Sequence, residues 1–143
     1  MLDEITKSLV KYRLEQAGEC LQSCERSYND GSLKASLNRS YYAIFHSMRA
    51  MLALESFDSK KHSGIISAFR QRFIKTKKFS SQFSDAINDA FEIRNEADYQ
   101  DFYIASESET RRQLENAKEF HAAVTEFISN FISEAEGENG ASD

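Results

Sequence analysis

The sequence predicts an all-α, up-and-down bundle of four or five helices. Three observations lead there. The chain has no proline and only five glycines among its 143 residues, so little interrupts a helix or favours a turn-rich β fold. Apolar residues recur at three- and four-residue spacing through most of its length. The segments that break this period are short, and short connections make neighbouring helices antiparallel. A chain of this size can bury a core as one domain without disulfide or metal staples. That domain is assigned to residues 1–136, and the small, acidic segment 137–143 is expected to fray as a flexible tail.

The first helix is expected from about residue 2 to 28, with Leu2, Ile5, Leu9, Tyr12, Cys20 and Cys24 near one face. Asn29-Asp30-Gly31 stops it. Ser32 can cap the second helix, residues 33 to about 55, whose core stripe is Leu37, Tyr41, Ile44, Phe45, Met48 and Leu52. A second face of this helix carries Arg39, Tyr42, His46, Arg49 and Ala53. It is too aromatic to be merely solvated and too polar to be core, and such faces meet a subunit or a ligand. After a polar linker, residues 57–62, Ser63 can cap a third helix, 64 to about 76. Ser80 or Ser81 opens a fourth, which ends near 97–99. A loop, 100–108, precedes the last helix, 109 to about 134, with the stripe Leu114, Ala117, His121, Val124, Phe127, Ile128, Phe131 and Ile132.

Charge and cysteine usage narrow the function classes. No apolar run approaches the roughly 18–20 residues of a membrane span, and residues 1–14 are charged and helical in period, unlike a secretory leader. Cys20 and Cys24 sit one helical turn apart, which suits buried free thiols in a reducing compartment; the expected location is the cytoplasm. The net charge of −5 hides an asymmetry. Between Lys60 and Lys78 stand Lys60, Lys61, Arg70, Arg72, Lys75, Lys77 and Lys78 with no acid, a local +7 that leaves −12 for the rest. One basic surface on an acidic protein can attract phosphates while the remainder repels them; the same run also fits a plain solvated helix face.

The fourth helix holds the most informative pattern. Phe83, Ala86, Ile87, Ala90 and Phe91 line one face, and Arg94 and Asp98 both fall within about 20° of Ile87 on it. A guanidinium that continues an apolar stripe needs a partner, and Asp98, four residues on, is the local one. Two readings stand: a structural ion pair near the helix end, or an arginine facing a cleft or subunit seam where a phosphate can reach it. Of the histidines, His121 belongs to a core or seam stripe and His62 is expected to be exposed in a loop. His46, one turn from Tyr42, has the most suggestive neighbours. No histidine–carboxylate spacing resembles a metal motif, so neither metal nor cofactor is expected.

Taken together, SLNRSYYAIFHSMRAML in the second helix and RNEADYQDF after the fourth resemble the HEPN (higher eukaryotes and prokaryotes nucleotide-binding) domain family, in its small single-domain bacterial and archaeal form. The residues that carry the likeness are Tyr41, Tyr42, Ala43, Phe45 and His46, then Arg94, Ala97, Asp98 and Tyr99. The resemblance implies a helical bundle, usually a homodimer, linked to nucleotides or RNA. It also implies that such a protein is often half of a toxin–antitoxin pair with a small nucleotidyltransferase. Ribonuclease members carry a histidine after four to six residues beyond the arginine. Here Tyr99, Gln100 and Asp101 occupy those positions, and none supplies what imidazole does at neutral pH.

The expected function is therefore a non-cleaving nucleotide-, RNA- or partner-binding protein. Arg94, Asn95, Asp98 and Tyr99, with Lys75, Lys77 and Lys78, would form its binding residues, and Arg39, Tyr42, His46 and Arg49 its dimer seam. The alternative is a metal-independent endoribonuclease that uses Arg94 without the usual histidine, with His46 as the candidate base.

Overall fold

A computed structural model describes residues 2–141, which form an all-α bundle with no strand among them. The helices are α1 (Glu4–Asn29), α2 (Leu33–Ala53), α3 (His62–Phe69), α4 (Phe83–Tyr99) and α5 (Glu107–Ala141). A π-helical turn, Arg70–Ile74, continues α3.

The bundle is organised around α2, which packs against all four other helices. Its sequence explains this, because it is apolar or small on nearly every side and such a helix belongs in the interior. Leu37, Tyr41, Ile44, Phe45, Met48, Met51 and Leu52 are buried, as are Ala43, Ala50 and Ala53. Its three buried serines find acceptors. Ser40 donates to the Leu37 carbonyl and Ser47 to that of Ala43, both at 2.7 Å, while Ser36 reaches across to the Cys24 carbonyl at 2.9 Å. That last bond fixes the register of α1 against α2. Cys24 is buried there and Cys20 half-buried, both as free thiols.

The buried face of α1 differs from the expected one. It is Val10, Arg13, Ala17 and Cys24, whereas Ile5, Leu9 and Tyr12 lie exposed on the opposite side. The small side chain of Ala17 lets α1 approach α2 closely, and close approach decided the contact face over summed hydrophobicity. The cost of that choice is a buried guanidinium at Arg13, which donates to the Arg49 carbonyl and to Asp58, each at 3.2 Å.

At the opposite end, Phe69, Phe79 and Phe83 surround the fully buried Phe120 of α5 with centroids 5.5–5.8 Å from its ring, and Phe73 packs on Phe69. This aromatic cluster anchors the α3–α4 connection on α5.

Several boundaries shift for local reasons. Asp3 caps α1 by accepting from the Thr6 amide at 2.7 Å. Ser32 stands at the N-cap of α2, but its hydroxyl makes no capping bond. α3 begins at His62, inside the expected linker, and breaks into the π turn after Phe69. Lys77, with φ of 62°, closes that segment in the left-handed region. Ser80 and Ser81 form turns that delay α4 to Phe83. Ser106 begins α5 two residues earlier than expected, because its hydroxyl accepts the Glu109 amide at 3.1 Å in a Ser-x-x-Glu capping arrangement. The helix then runs on beyond residue 134 to Ala141, while Ser142 and Asp143 of the expected tail lie outside the described residues.

Candidate functional site

Consecutive tyrosines on α2 place one ring in the core and one at its edge. Tyr41 is buried, Tyr42 half-buried, and their rings meet edge-on with centroids 5.1 Å apart. Arg94 arrives from the antiparallel α4 and lies over both rings, its Cζ 5.2 Å from the Tyr41 centroid and 5.7 Å from that of Tyr42. Its Nη2 donates to the Tyr42 hydroxyl at 3.3 Å. Its Nε stands 2.9 Å from Asp98 Oδ2, yet the N–H is not aimed along that line, so the contact is chiefly Coulombic. The stacked rings and the carboxylate hold the guanidinium in place while its Nη1 makes no protein hydrogen bond among the described residues. Such a group suits a planar anion or a phosphate.

The third element is a correction. His62 is not an exposed loop residue: as the first residue of α3 it folds back onto α2, half-buried. Its Nδ1 is 2.8 Å from the Tyr41 hydroxyl and its ring centroid is 4.2 Å from that of Phe45. Gly64 permits this approach, since a Cβ there would stand 2.3 Å from Ser59 Oγ and 3.1 Å from Ser59 Cβ. His62 and Arg94 thus flank one tyrosine pair, brought together from α3 and α4. Nothing in the spacing of the chain announces this. The only available signal is that a buried tyrosine hydroxyl needs a partner, and that does not name His62.

His46 lies one turn along α2, its centroid 5.9 Å from Tyr42. This face of the bundle carries four guanidiniums and two carboxylates: Arg13 and Arg49 pair with Asp58, Arg94 pairs with Asp98, and Arg39 leans over Tyr42 and bonds Asn38. Burial first, then the Arg49, Arg13 and Arg39 charges, push the His46 imidazole down to about 4. Burial and Arg94 also lower His62. Both rings are neutral at pH 7, and the face is net positive. Burial raises the Tyr41 phenol to about 12, so it keeps its proton.

Acid should weaken the fold through these histidines. His121, half-buried where a Cβ on Gly18 would meet its ring, is likewise lowered by burial. For all three the unfolded chain binds protons more readily than the folded one. Stability is therefore constant above the ordinary histidine pKa of about 6.5 and falls as pH drops below it; for His46 the loss continues to about 4. The urea midpoint should decline between pH 7.5 and 5, and less steeply in His46→Gln. A midpoint that is flat over this range would overturn the assignment of neutral, buried imidazoles.

The remaining expected site residues are dispersed. Asn95 is half-buried beside Arg94, while Tyr99 is exposed past the end of the site. Lys78 pairs with Glu55 at 3.9 Å, beside Arg72, whose guanidinium lies 4.5 Å from the Phe57 centroid. Glu55 is thirteen residues along from Tyr42, roughly 20 Å at helical rise, so Lys78 is not a neighbour of Arg94. Lys77 is exposed in the same turn. Lys75 differs: with Arg70 it lines a groove of about 550 Å³ between α3 and α4. Ser63, next to His62, and Phe91, with its ring 6.3 Å from Tyr41, share that wall, so the groove adjoins the Arg94 cluster.

Comparison with known proteins gives the family. Residues 10–127 match the HEPN domain. The chain belongs to the HEPN family. Among relatives, a UPF0332 protein of Thermotoga maritima is 28% identical over 124 residues, covering 87% of this chain and 94% of that protein. A protein of Methanocaldococcus jannaschii named putative toxin MJ0142 is 34% identical over 86 residues, 60% of this chain and 58% of its own length. A second from that organism, putative toxin MJ0605, is 27% identical over 99 residues, 69% of this chain and 74% of its own. No helix among the described residues is long and apolar enough to cross a membrane. In this HEPN chain His62, from a different helix, is the imidazole that bonds the Tyr41 hydroxyl beneath Arg94.

Proposed function

We propose that this HEPN protein binds a phosphate-bearing ligand, a nucleotide or RNA, on the Arg94–Tyr41–Tyr42 face, as one half of a homodimer. The observation that carries this reading is the guanidinium stacked on two tyrosines with a nitrogen to spare, on a net-positive face of an acidic chain. Asn95 and Asp98 support the arginine, and Tyr99 offers an exposed ring to a base. Fluorescence anisotropy with a short single-stranded RNA tests it. Binding should be strongest at low salt and weaken as salt rises; no binding at low salt sinks the RNA reading. Relatives named putative toxins favour a toxin-type role; the family likeness adds a cytoplasmic location and a nucleotidyltransferase as the partner to seek first.

The dimer reading uses the spare apolar surface. Ile5, Leu9 and Tyr12 are exposed near the Arg49 end of α2; Phe102 and Ile104 are exposed past Arg94, near the Arg39 end. A two-fold axis near His46 would lay each protomer's second patch toward the partner's first, with Arg39, Tyr42, His46 and Arg49 between them. Light scattering should then report a dimer for the native chain and a monomer for Tyr42→Glu. An unchanged mass rejects this seam.

A second reading, metal-independent RNA cleavage, is favoured by His62. The Tyr41–His62 bond accommodates either tautomer: with Nδ1–H donating to Tyr41, Nε2 is free to take a proton; with Tyr41 donating, Nε2 carries one. His46, lowered to about 4, is a poorer base than His62. Cleavage with chelator present that is lost in His62→Ala but kept in His46→Gln would establish this reading.

A further inference from the structure

A π turn is uncommon, and here it changes which side chains share a face. The Lys75 amide bonds the Arg70 carbonyl at 2.8 Å, five residues back. In an unbroken α-helix those two residues would point about 140° apart. The π turn instead sets Lys75 one turn above Arg70, and both line the groove between α3 and α4. Like charges one turn apart repel. Among the described residues no carboxylate pairs with either cation, whereas Arg72 and Lys78 of the same segment are both claimed by Glu55. Asn88 of α4 accepts from Arg70 and steadies it in the wall. The opposite wall, on α4, offers Ile87 and Phe91, and Ile66 lies one turn before Arg70 on the cations' own side.

We infer that this groove is a second nucleotide station: Arg70 and Lys75 hold a phosphate, and Phe91 with Ile66 and Ile87 receives the base. Its volume of about 550 Å³ is within the range of small-molecule sites. The inference rests on the nucleotide-binding reading above and extends it from one anion site to two adjoining ones. The occupant is one nucleotide, either free or as a residue of an RNA strand that continues to Arg94.

Amide chemical-shift mapping on the full chain tests it, with AMP and a short single-stranded RNA as probes. AMP should shift the amides of Lys75, Asn88 and Phe91. Arg70→Gln and Lys75→Gln should each weaken that response about ten-fold, and Lys75→Arg should restore it. If AMP is silent but RNA shifts the same amides and needs the same cations, the occupant is a strand residue. If ligand shifts are confined to Tyr42, Arg94 and Tyr99, the groove assignment is overturned while the Arg94 reading stands. If neither probe binds the native chain, both fall.

Discussion

Removing Asp58 should destabilise this protein more than removing the buried arginine it serves. Asp58→Ala leaves Arg13, at 7% exposure, with only the Arg49 carbonyl as a hydrogen-bond partner, and leaves Arg49 beside it as an uncompensated like charge. Burial and the Arg49 charge already lower the Arg13 guanidinium, and the Asp58 carboxylate is what opposes them. Breaking a buried pair from one side costs several kcal/mol, and partial exposure of Asp58 reduces that to about 2–3 kcal/mol, or roughly 5–10 °C in Tm. Arg13→Met takes away both the buried charge and its need for a partner and refills the space with a flexible apolar chain. It should change stability by less than about 1 kcal/mol, since Arg49 still neutralises Asp58. The double variant should be more stable than Asp58→Ala alone. Thermal melts at one protein concentration read all three. Equal losses in the two single variants would mean that Asp58 is not compensating buried charge.

Arg94→Ala should lower RNA affinity by about 10–100-fold, the loss of one or two charge-assisted hydrogen bonds to phosphate. Arg94→Lys should recover only part of it, because an ammonium keeps the charge but neither the fork nor the stack on Tyr41 and Tyr42. The fold should survive both changes, since Arg94 lies at the edge of the core and Ile87, Ala90, Ile93 and Ala97 make the buried stripe of α4. If the protein proves to cleave RNA, Arg94→Ala should remove cleavage by more than it weakens binding, through lost stabilisation of transition-state charge. Unaltered affinity and activity in a folded Arg94→Ala would leave the guanidinium as a structural ion pair with Asp98 and remove the basis of the proposed function.

Local patterning specified the helices and the faces of α2 and α4 on which Tyr41, Tyr42 and Arg94 sit, though not that they meet. Periodicity fixes a helix because one face must leave water, and the i,i+4 relation of Arg94 to Asp98 is a property of the helix alone. The family likeness was legible for the same reason, since its motifs lie within single helices. The rest depended on how the helices packed. The contact face of α1 depended on how closely Ala17 could bring it to α2, so Ile5, Leu9 and Tyr12 ended outside and Arg13 inside. His62 reached the site because Gly64 let the linker fold back, a contact between residues 21 apart that no local period encodes. Arg70 and Lys75 came to one face because the backbone adopted a π turn in place of the α-helical register the sequence predicts. Local spacing governs what one helix presents; which groups from different helices converge depends on close packing, and that is settled only when the whole core is assembled.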